Sequence, residues 1–251
     1  MYHTTGLDRE EIIDLCIRIS SLGHGPGAPK WPASLGLFKS VTVTLVYKRT
    51  NLTQAQIGEF YGVSQSTISR AISVITSLIS RATEEFVPTA DDLDPAAQYI
   101  IDGTLLPCWS WKDRKELYSG KHKTTGLNVQ VACTIYGQLA WISDPITGNH
   151  HDNYCLGESS VLTGMNPKNW MGDKGYVGND MLTPFKKPAG GELLDWQKEY
   201  NSQINKTRWK IEQVISHLKN WAILRTDYRR PLKTFPETIS AVIGLQFYKI
   251  A

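Results

Sequence analysis

Three acidic residues stand where a single fold would bring their carboxylates together. Asp102 follows the apolar run 99–101, and Asp173 follows the short apolar run 169–172. Glu212 lies on the polar border of a long amphipathic segment near the end of the chain. Clustered carboxylates repel one another, so such a site is stable only with cations between them. The placement therefore predicts that Asp102, Asp173 and Glu212 are the metal ligands and catalytic residues of one site.

Hard oxygen ligands with room for water and phosphate suit Mg²⁺, and Mn²⁺ can substitute for it. Two such ions about 4 Å apart would activate a water or a 3′-hydroxyl and stabilise the leaving oxygen in an in-line displacement at phosphorus. That reaction both nicks and joins DNA strands. Each acid alone has a simpler interpretation, because an acid after a strand often caps a turn, and Glu212 can pair with Arg208 one helical turn earlier. Their joint placement favours the catalytic site.

The elements that would position these acids follow the order of a ribonuclease-H-like fold. The hydrophobic pattern predicts a strand ending at residue 102, strands over 127–136 and 138–146 joined at Gly137, a helix over 152–162, a strand over 169–172 and a helix over 196–221. In this layout the ends of the first and fourth strands are neighbours, and the last helix packs across them. The three acids would then converge although they are far apart in the sequence.

The first part of the chain carries a helix-turn-helix pattern. Thr53 can cap a helix over 54–61, and Gly62 with Ser64 can end it and cap a second helix over 65–79. In this motif the first residues of the second helix enter the major groove of DNA. The alternative is a purely structural helical hairpin. The predicted DNA contacts are the polar side chains Gln65, Ser66, Thr67, Ser69, Arg70 and Ser73.

The composition, 41% hydrophobic and 20% charged, is that of a globular chain. We expect an α+β protein with an all-α helix-turn-helix domain over residues 1–85, which includes a loop rich in Gly and Pro over 23–36. An acidic linker that contains proline over 86–97 would lead to a ribonuclease-H-like α/β catalytic domain with a mixed sheet over 98–251.

Positive charge is concentrated late in a chain whose net charge is only +3. Residues 205–233 contain eight Lys or Arg and two acids. A basic face on a nearly neutral protein indicates DNA binding, although a solvated helix surface would also explain such a run. The predicted DNA contacts in this segment are Lys219, Arg225, Arg229 and Arg230.

Several motifs together resemble those of one protein family. They are Asp-Gly-Thr at 102–104, Tyr-Ser-Gly-Lys-His-Lys at 118–123, Gly-Asn-His-His-Asp at 148–152, Gly-Asp-Lys-Gly-Tyr at 172–176, Ile-Glu-Gln-Val-Ile at 211–215, and a tail over 228–238. With them the chain resembles bacterial insertion-sequence transposases of the Asp-Asp-Glu superfamily, in the insertion-sequence-five group related to the eukaryotic PIF/Harbinger elements. The resemblance covers nearly the whole chain from the helix-turn-helix onward.

The resemblance implies catalysis by Asp102, Asp173 and Glu212 with divalent metal at the inverted repeats that end a mobile element. The motifs also suggest phosphate contacts or a charged hairpin tip at Lys121, His122 and Lys123, and accessory roles for His151, Asp152, Lys174 and Tyr176.

One motif departs from the family pattern, which often has Ser where Asn149 and His150 stand. His151 and Asp152 could orient the site or the DNA, with a helix N-cap as the alternative role for Asp152. Zinc binding by His150 and His151 is disfavoured because adjacent side chains diverge and no Cys is near.

Two other functions compete with a transposase: a DNA-binding regulator or domesticated element that does not cut, and a nuclease that cuts without joining. The family implies duplex DNA partners, both terminal repeats and target, and a homodimer or larger assembly. The chain has no apolar run of the ~18 residues that a membrane span needs, no signal-like start, and four widely spaced cysteines. We therefore expect a cytoplasmic, nucleoid-associated prokaryotic protein without membrane partners.

Overall fold

The computed structural model describes residues 1–22, 30–109 and 113–251, so the first half of the predicted loop over 23–36 lies outside the described residues. The chain forms two compact units. The first unit comprises Met1–Val87 with Leu218–Ala251, and the second comprises Pro88–His217. No helix in the described ranges is long and apolar enough to cross a membrane.

The described residues contain α-helices and β-strands that are numbered here in chain order. The helices are α1 (Tyr2–Thr5), α2 (Arg9–Leu22), α3 (Gly36–Thr50), α4 (Gln54–Tyr61), α5 (Gln65–Ala82), α6 (Asp152–Ser159), α7 (Asp195–Leu218), α8 (Ala222–Arg225) and α9 (Phe235–Tyr248). The strands are β1 (Tyr99–Pro107), β2 (Tyr118–Ser119), β3 (Thr124–Thr134), β4 (Leu139–Ile142), β5 (Ile146–Thr147) and β6 (Trp170–Met171).

The predicted helix-turn-helix is present as α4 and α5 in the first unit. The Thr53 hydroxyl accepts from the backbone N–H of Gln56, and the Gln56 side chain accepts from the backbone N–H of Thr53, which completes a capping box. Gly62 ends α4 in the left-handed conformation at φ 63°, and the Ser64 hydroxyl caps α5. Both helix starts and the end of α4 agree with the prediction, while α5 continues three residues beyond residue 79.

The end of the chain packs with the first unit, which differs from the predicted domain division. Residues 218–251 were expected in the catalytic domain, but α9 packs against α5. The reason is that α9 is apolar on most of its surface, with Ile239, Val242 and Leu245 fully buried, and such a helix must be covered by others.

The predicted linker over 86–97 is not simply extended. It contains the short 3₁₀ helix Ala90–Asp92, and Leu93 is buried in the hydrophobic core of the second unit. Part of the predicted linker therefore packs with the second unit.

The sheet of the second unit brings the first and fourth predicted strands side by side, as expected. The order is β2-β3-β1-β6, and both β4 and β5 also pair with β3. Strand β1 is antiparallel to β3 and parallel to β6, so the sheet is mixed. The hairpin between β3 and β4 turns at Gly137, whose φ is 83°. The α+β class and the neighbouring first and fourth strands are thus confirmed.

Several boundaries in the second unit differ from the predicted ones. Strand β1 does not end at Asp102, because residues 103–107 continue the ladder with β3. The third predicted strand is split into β4 and β5. Helix α7 ends at Leu218, and Trp221 caps the separate helix α8 instead of ending α7.

Gly58 provides a test of the close contact within the helix-turn-helix. A Cβ at this position would lie 2.7 Å from the backbone oxygen of Val63. We expect Gly58→Ala to destabilise the fold by about 1–3 kcal/mol and to lower the melting temperature measured by circular dichroism. Gly157→Ala is the control, because Gly157 in α6 has nothing within 4 Å of such a Cβ. Equal or greater stability of the Gly58 variant would contradict the predicted clash.

Candidate active site and DNA-binding surface

Asp102 and Asp173 are neighbours at one edge of the sheet. In the parallel pairing of β1 with β6, Tyr99 lies opposite Trp170 and Ile100 opposite Met171. When this register is continued by two residues, Asp102 comes beside Asp173. The fold therefore brings together two acids that are 71 positions apart in the sequence.

Asp102 is largely buried and lies close to other charges. Its Oδ1 accepts from the backbone N–H of Gly103 at 2.9 Å, and its Oδ2 lies 3.5 Å from Nη2 of Arg208 on α7. The pKa of the Asp102 carboxyl is raised to about 6, mainly by burial; the Arg208 guanidinium and Lys121 oppose this rise, and Asp173 and Asp152 contribute to it. The carboxylates are therefore near enough to repel each other.

A third aspartate, Asp152, joins this cluster from the start of α6. Its Oδ2 accepts from Nζ of Lys121 at 2.7 Å, and its carboxylate is 8% exposed. A Cβ on Gly103 would collide with Oδ1 of Asp152, so this approach requires glycine at position 103. The interpretation of Asp152 as an N-cap is wrong. His151 occupies that position, and Asp152 is the first helical residue, with its side chain turned towards Lys121.

A buried chain of hydrogen bonds supports Asp152. The Tyr176 hydroxyl donates to Oε1 of Gln130 at 2.5 Å, Nε2 of Gln130 donates to Asn128, and Nδ2 of Asn128 lies 3.4 Å from Asp152. Tyr176, predicted as an accessory residue, is fully buried, and it is connected to Asp152 through these hydrogen bonds. The sequence analysis missed Asn128 and Gln130. Both could have been found from the sequence, because they are two amides at alternate positions of an otherwise apolar strand. Alternate residues of a strand share one face, so the two amides lie side by side.

Asp173 and Asp152 line an open cleft of about 430 Å³. The Oδ1 atom of Asp173 accepts from the backbone N–H of Gly175 at 2.6 Å and so caps the short turn Lys174–Tyr176. The cleft is lined by Ser119, Gly120, Lys121, His122, Asn128, Gly148, Asn149, His150, His151, Asp152, Asp173 and Gly175. Several predicted phosphate-contacting and accessory residues therefore surround the two aspartates, and Lys123 and Lys174 are exposed in the same loops.

Glu212 is exposed on α7 and is not brought into a ligand group with the two predicted aspartates. Within residues 1–22, 30–109 and 113–251, no three or more His, Cys, Asp or Glu side chains are arranged to hold a metal ion. The alternative pairing of Glu212 with Arg208 is also not seen, since Arg208 reaches Asp102. The contact of Arg208 with Asp102 was not predicted from the sequence, because the two residues are 106 positions apart.

The predicted reading face of α5 is mostly open to solvent. Gln65, Ser66, Arg70 and Ser73 are exposed, and Ser69 is half-buried. The predicted DNA contact at Thr67 is wrong. Thr67 is buried, and its backbone N–H donates to the Ser64 hydroxyl, so it belongs to the N-terminal cap of α5 and not to the DNA-contacting face.

The predicted basic residues after α7 belong to the first unit. Nη2 of Arg230 donates to the Ser73 hydroxyl at 2.6 Å, and Arg229 donates to the side chain of Asn51 at 3.0 Å. Arg225 is exposed, whereas burial lowers the pKa of the half-buried Lys219. Arg229 and Arg230 thus join the surface formed by the helix-turn-helix.

The two kinds of fold in this chain agree with comparisons to known proteins. A family model described as DDE superfamily endonuclease matches residues 101–246, and one described as the helix-turn-helix of DDE superfamily endonuclease matches residues 33–84. The chain therefore belongs to the DDE superfamily of endonucleases. The finer resemblance to the insertion-sequence-five group and to PIF/Harbinger elements stays a prediction.

Two curated relatives are similar over most of the chain. A Streptomyces albus G protein named as a transposase for insertion sequence element IS112 is 28% identical over 77% of this chain and 73% of its own length. A Microchaete diplosiphon protein named as a transposase for insertion sequence element IS702 is 27% identical over 84% of this chain and 80% of its own length. No solved structure matches the chain.

The raised pKa of Asp102 predicts how stability depends on pH. A carboxyl whose pKa is about 6 in the folded chain, above its ordinary value of 3.8, stabilises the fold only while protonated, and this stability is lost as pH rises between these values. In buffer with EDTA, Asp102→Asn should match the parent near pH 3.5 and exceed it by up to about 3 kcal/mol at pH 7.5.

Denaturant unfolding at a series of pH values measures this difference. Asp144→Asn is the control, because it removes an exposed carboxylate outside the cleft. An Asp102→Asn variant that is less stable than the parent at pH 7.5 would show that Arg208 outweighs burial.

Proposed function

We propose that this chain is a DNA transposase that binds the inverted-repeat ends of an insertion sequence and catalyses metal-dependent strand cleavage and strand transfer. The main support is the placement of Asp102 beside Asp173 at a sheet edge with an open cleft, in a chain that also carries an exposed helix-turn-helix. The two relatives named as transposases support the same function.

The charges around the cleft fit a divalent cation. Among the described residues, Lys121 and Arg208 form ion pairs with the cluster of three aspartates, so the acids outnumber the paired cations by one. The raised pKa of Asp102 reflects that excess together with burial. Hard carboxylate oxygens of this kind suit Mg²⁺ or Mn²⁺.

Asp102 and Asp173 are the proposed first ligands of the metal. Glu212 is the proposed third ligand, although it is exposed and lies outside their cluster in this structure. It stands one helical turn, about 5.4 Å, beyond Arg208, whose side chain already reaches Asp102. Bound metal would supply Lewis-acid activation of water or a 3′-hydroxyl and stabilise the leaving oxygen.

The other cleft residues have roles that follow from their positions. Lys121 is held by Asp152, so its ammonium is fixed at the cleft wall where a DNA phosphate would lie. Tyr176, Gln130 and Asn128 position Asp152 from behind. His122, Lys123, His151 and Lys174 are exposed around the cleft or in its loops and are proposed to contact the DNA backbone.

One observation favours a second function. Because Glu212 does not join the aspartates, a DNA-binding regulator or domesticated nuclease derived from a transposase is the alternative. The proposed partners are terminal and target duplex DNA together with further copies of the chain, in the cytoplasm or at the nucleoid of a prokaryote.

Asp173→Asn separates DNA cutting from DNA binding. Asparagine keeps the size and can still accept the cap hydrogen bond from Gly175, but it removes a charge needed to hold metal. We expect this variant to bind the DNA that flanks the gene as tightly as the parent or more tightly, and its Mg²⁺-dependent cleavage and joining to fall at least 100-fold, the order of loss expected when metal geometry is disrupted.

Labelled duplex carrying the flanking repeats serves for both assays. Asp180→Asn is the matched control, since it changes an exposed aspartate seven positions away, outside the residues that line the cleft. Cleavage by the Asp173 variant at the parent rate would exclude Asp173 as a ligand. Tight binding by the parent with no cleavage in Mg²⁺ or Mn²⁺ would support the regulator.

A further inference from the structure

A pocket of about 320 Å³ lies in the first unit where both helices of the helix-turn-helix begin. Its wall combines distant parts of the sequence. Gln54 and Gln65 come from the first turns of α4 and α5, and Arg229 and Arg230 come from the segment before α9. Among the described residues, those that line this pocket include no Asp or Glu. The pocket therefore offers hydrogen-bond donors and positive charge to an anion.

The two arginines are held in place by the first unit itself. Arg230 donates through Nη2 to the hydroxyl of Ser73 on α5, and Arg229 donates through Nη2 to the backbone and side-chain oxygens of Asn51. These bonds engage one nitrogen of each guanidinium. Each guanidinium carries five N–H donors, more than these bonds use, and its planar geometry suits a phosphate group.

A buried lysine lies close enough to Arg230 to interact with its charge. Lys48 on α3 is fully buried, and within the described residues its Nζ has no hydrogen-bond partner. The pKa of the Lys48 ammonium is lowered to about 7, mainly by burial and also by Arg230, while Glu237 opposes this change. Like charges gathered around a protein interior repel each other, and a bound anion would relieve that repulsion.

We propose that this pocket is a clamp for one backbone phosphate of duplex DNA, gripped by Arg229 and Arg230 while the first residues of α5 lie in the major groove. A phosphodiester is the anion that lies beside a helix inserted in that groove. The clamp would fix the register of the reading helix, and it means that the C-terminal segment completes the DNA-binding surface. The proposal rests on DNA binding by the helix-turn-helix and not on strand cleavage.

The test measures DNA binding of full-length variants by fluorescence anisotropy in EDTA, so that cleavage does not contribute. Arg229→Gln and Arg230→Gln are compared with the parent on two duplexes, one carrying the DNA that flanks the gene and one with a scrambled sequence. Arg81→Gln is the matched control, because Arg81 is exposed about 24 Å further along α5 than Gln65.

We expect each clamp variant to weaken binding to both duplexes by a similar factor of roughly tenfold. The slope of log affinity against log salt should fall by about one. The control should change neither quantity. Arg230→Lys keeps the charge, so it should retain the salt slope and lose affinity a few-fold; it serves as the test if Arg230→Gln does not fold.

Three results would overturn the clamp. Parent-like affinity and salt slope in both glutamine variants would exclude a DNA contact. Weaker binding to the flanking duplex alone, with an unchanged slope, would make the arginines base readers. Stabilisation of the parent but not of Arg230→Gln by inorganic phosphate, with DNA affinity unaffected, would identify a site for a free anion. Because no readout uses cleavage, the clamp can fail without affecting the proposed catalytic site.

Discussion

Repulsion among carboxylates is the constraint on which the second unit depends. Asp152 and Asp173 lie close enough to Asp102 to contribute, together with burial, to the rise of its pKa to about 6. Lys121 and Arg208 each pair with one of these acids. A buried or half-buried cluster of acids lowers the stability of the fold. A protein can keep such a cluster where a bound ligand compensates the remaining charge.

The surrounding elements position this cluster instead of neutralising it. The parallel pairing of β1 and β6 brings Asp102 beside Asp173, and Gly103 allows Asp152 to approach the strand closely. The buried side-chain amides of Asn128 and Gln130 form the hydrogen bonds that hold Asp152 in place. In the first unit, Arg229 and Arg230 bring positive charge to a pocket at the start of α5. We propose that the cluster in the second unit serves a metal ion and that the pocket in the first unit serves a phosphate.

Local signals were enough to predict the helix-turn-helix, since Thr53, Gly62 and Ser64 mark the ends of their own helices. The order of apolar runs was enough to predict the hairpin at Gly137 and the adjacency of the first and fourth strands. Contacts between distant residues were not: Arg208 with Asp102, and Lys121 with Asp152, depend on how complete elements pack. For the same reason β1 was predicted too short, because residues 103–107 are strand only through their pairing with β3. The place of Glu212 depends on how α7 packs, which its own neighbours in sequence do not determine.

We propose that Asp102 and Asp173 form the binding site for a divalent cation. A titration of the full-length chain with Mn²⁺, in which electron paramagnetic resonance measures the free ion, tests this proposal directly. The parent should bind Mn²⁺ in competition with Mg²⁺, and the double variant Asp102→Asn with Asp173→Asn should lose at least about 100-fold in affinity, because loss of even a residue that only supports a metal ligand costs about 10–100-fold. Equal Mn²⁺ binding by the parent and the double variant would contradict the claim.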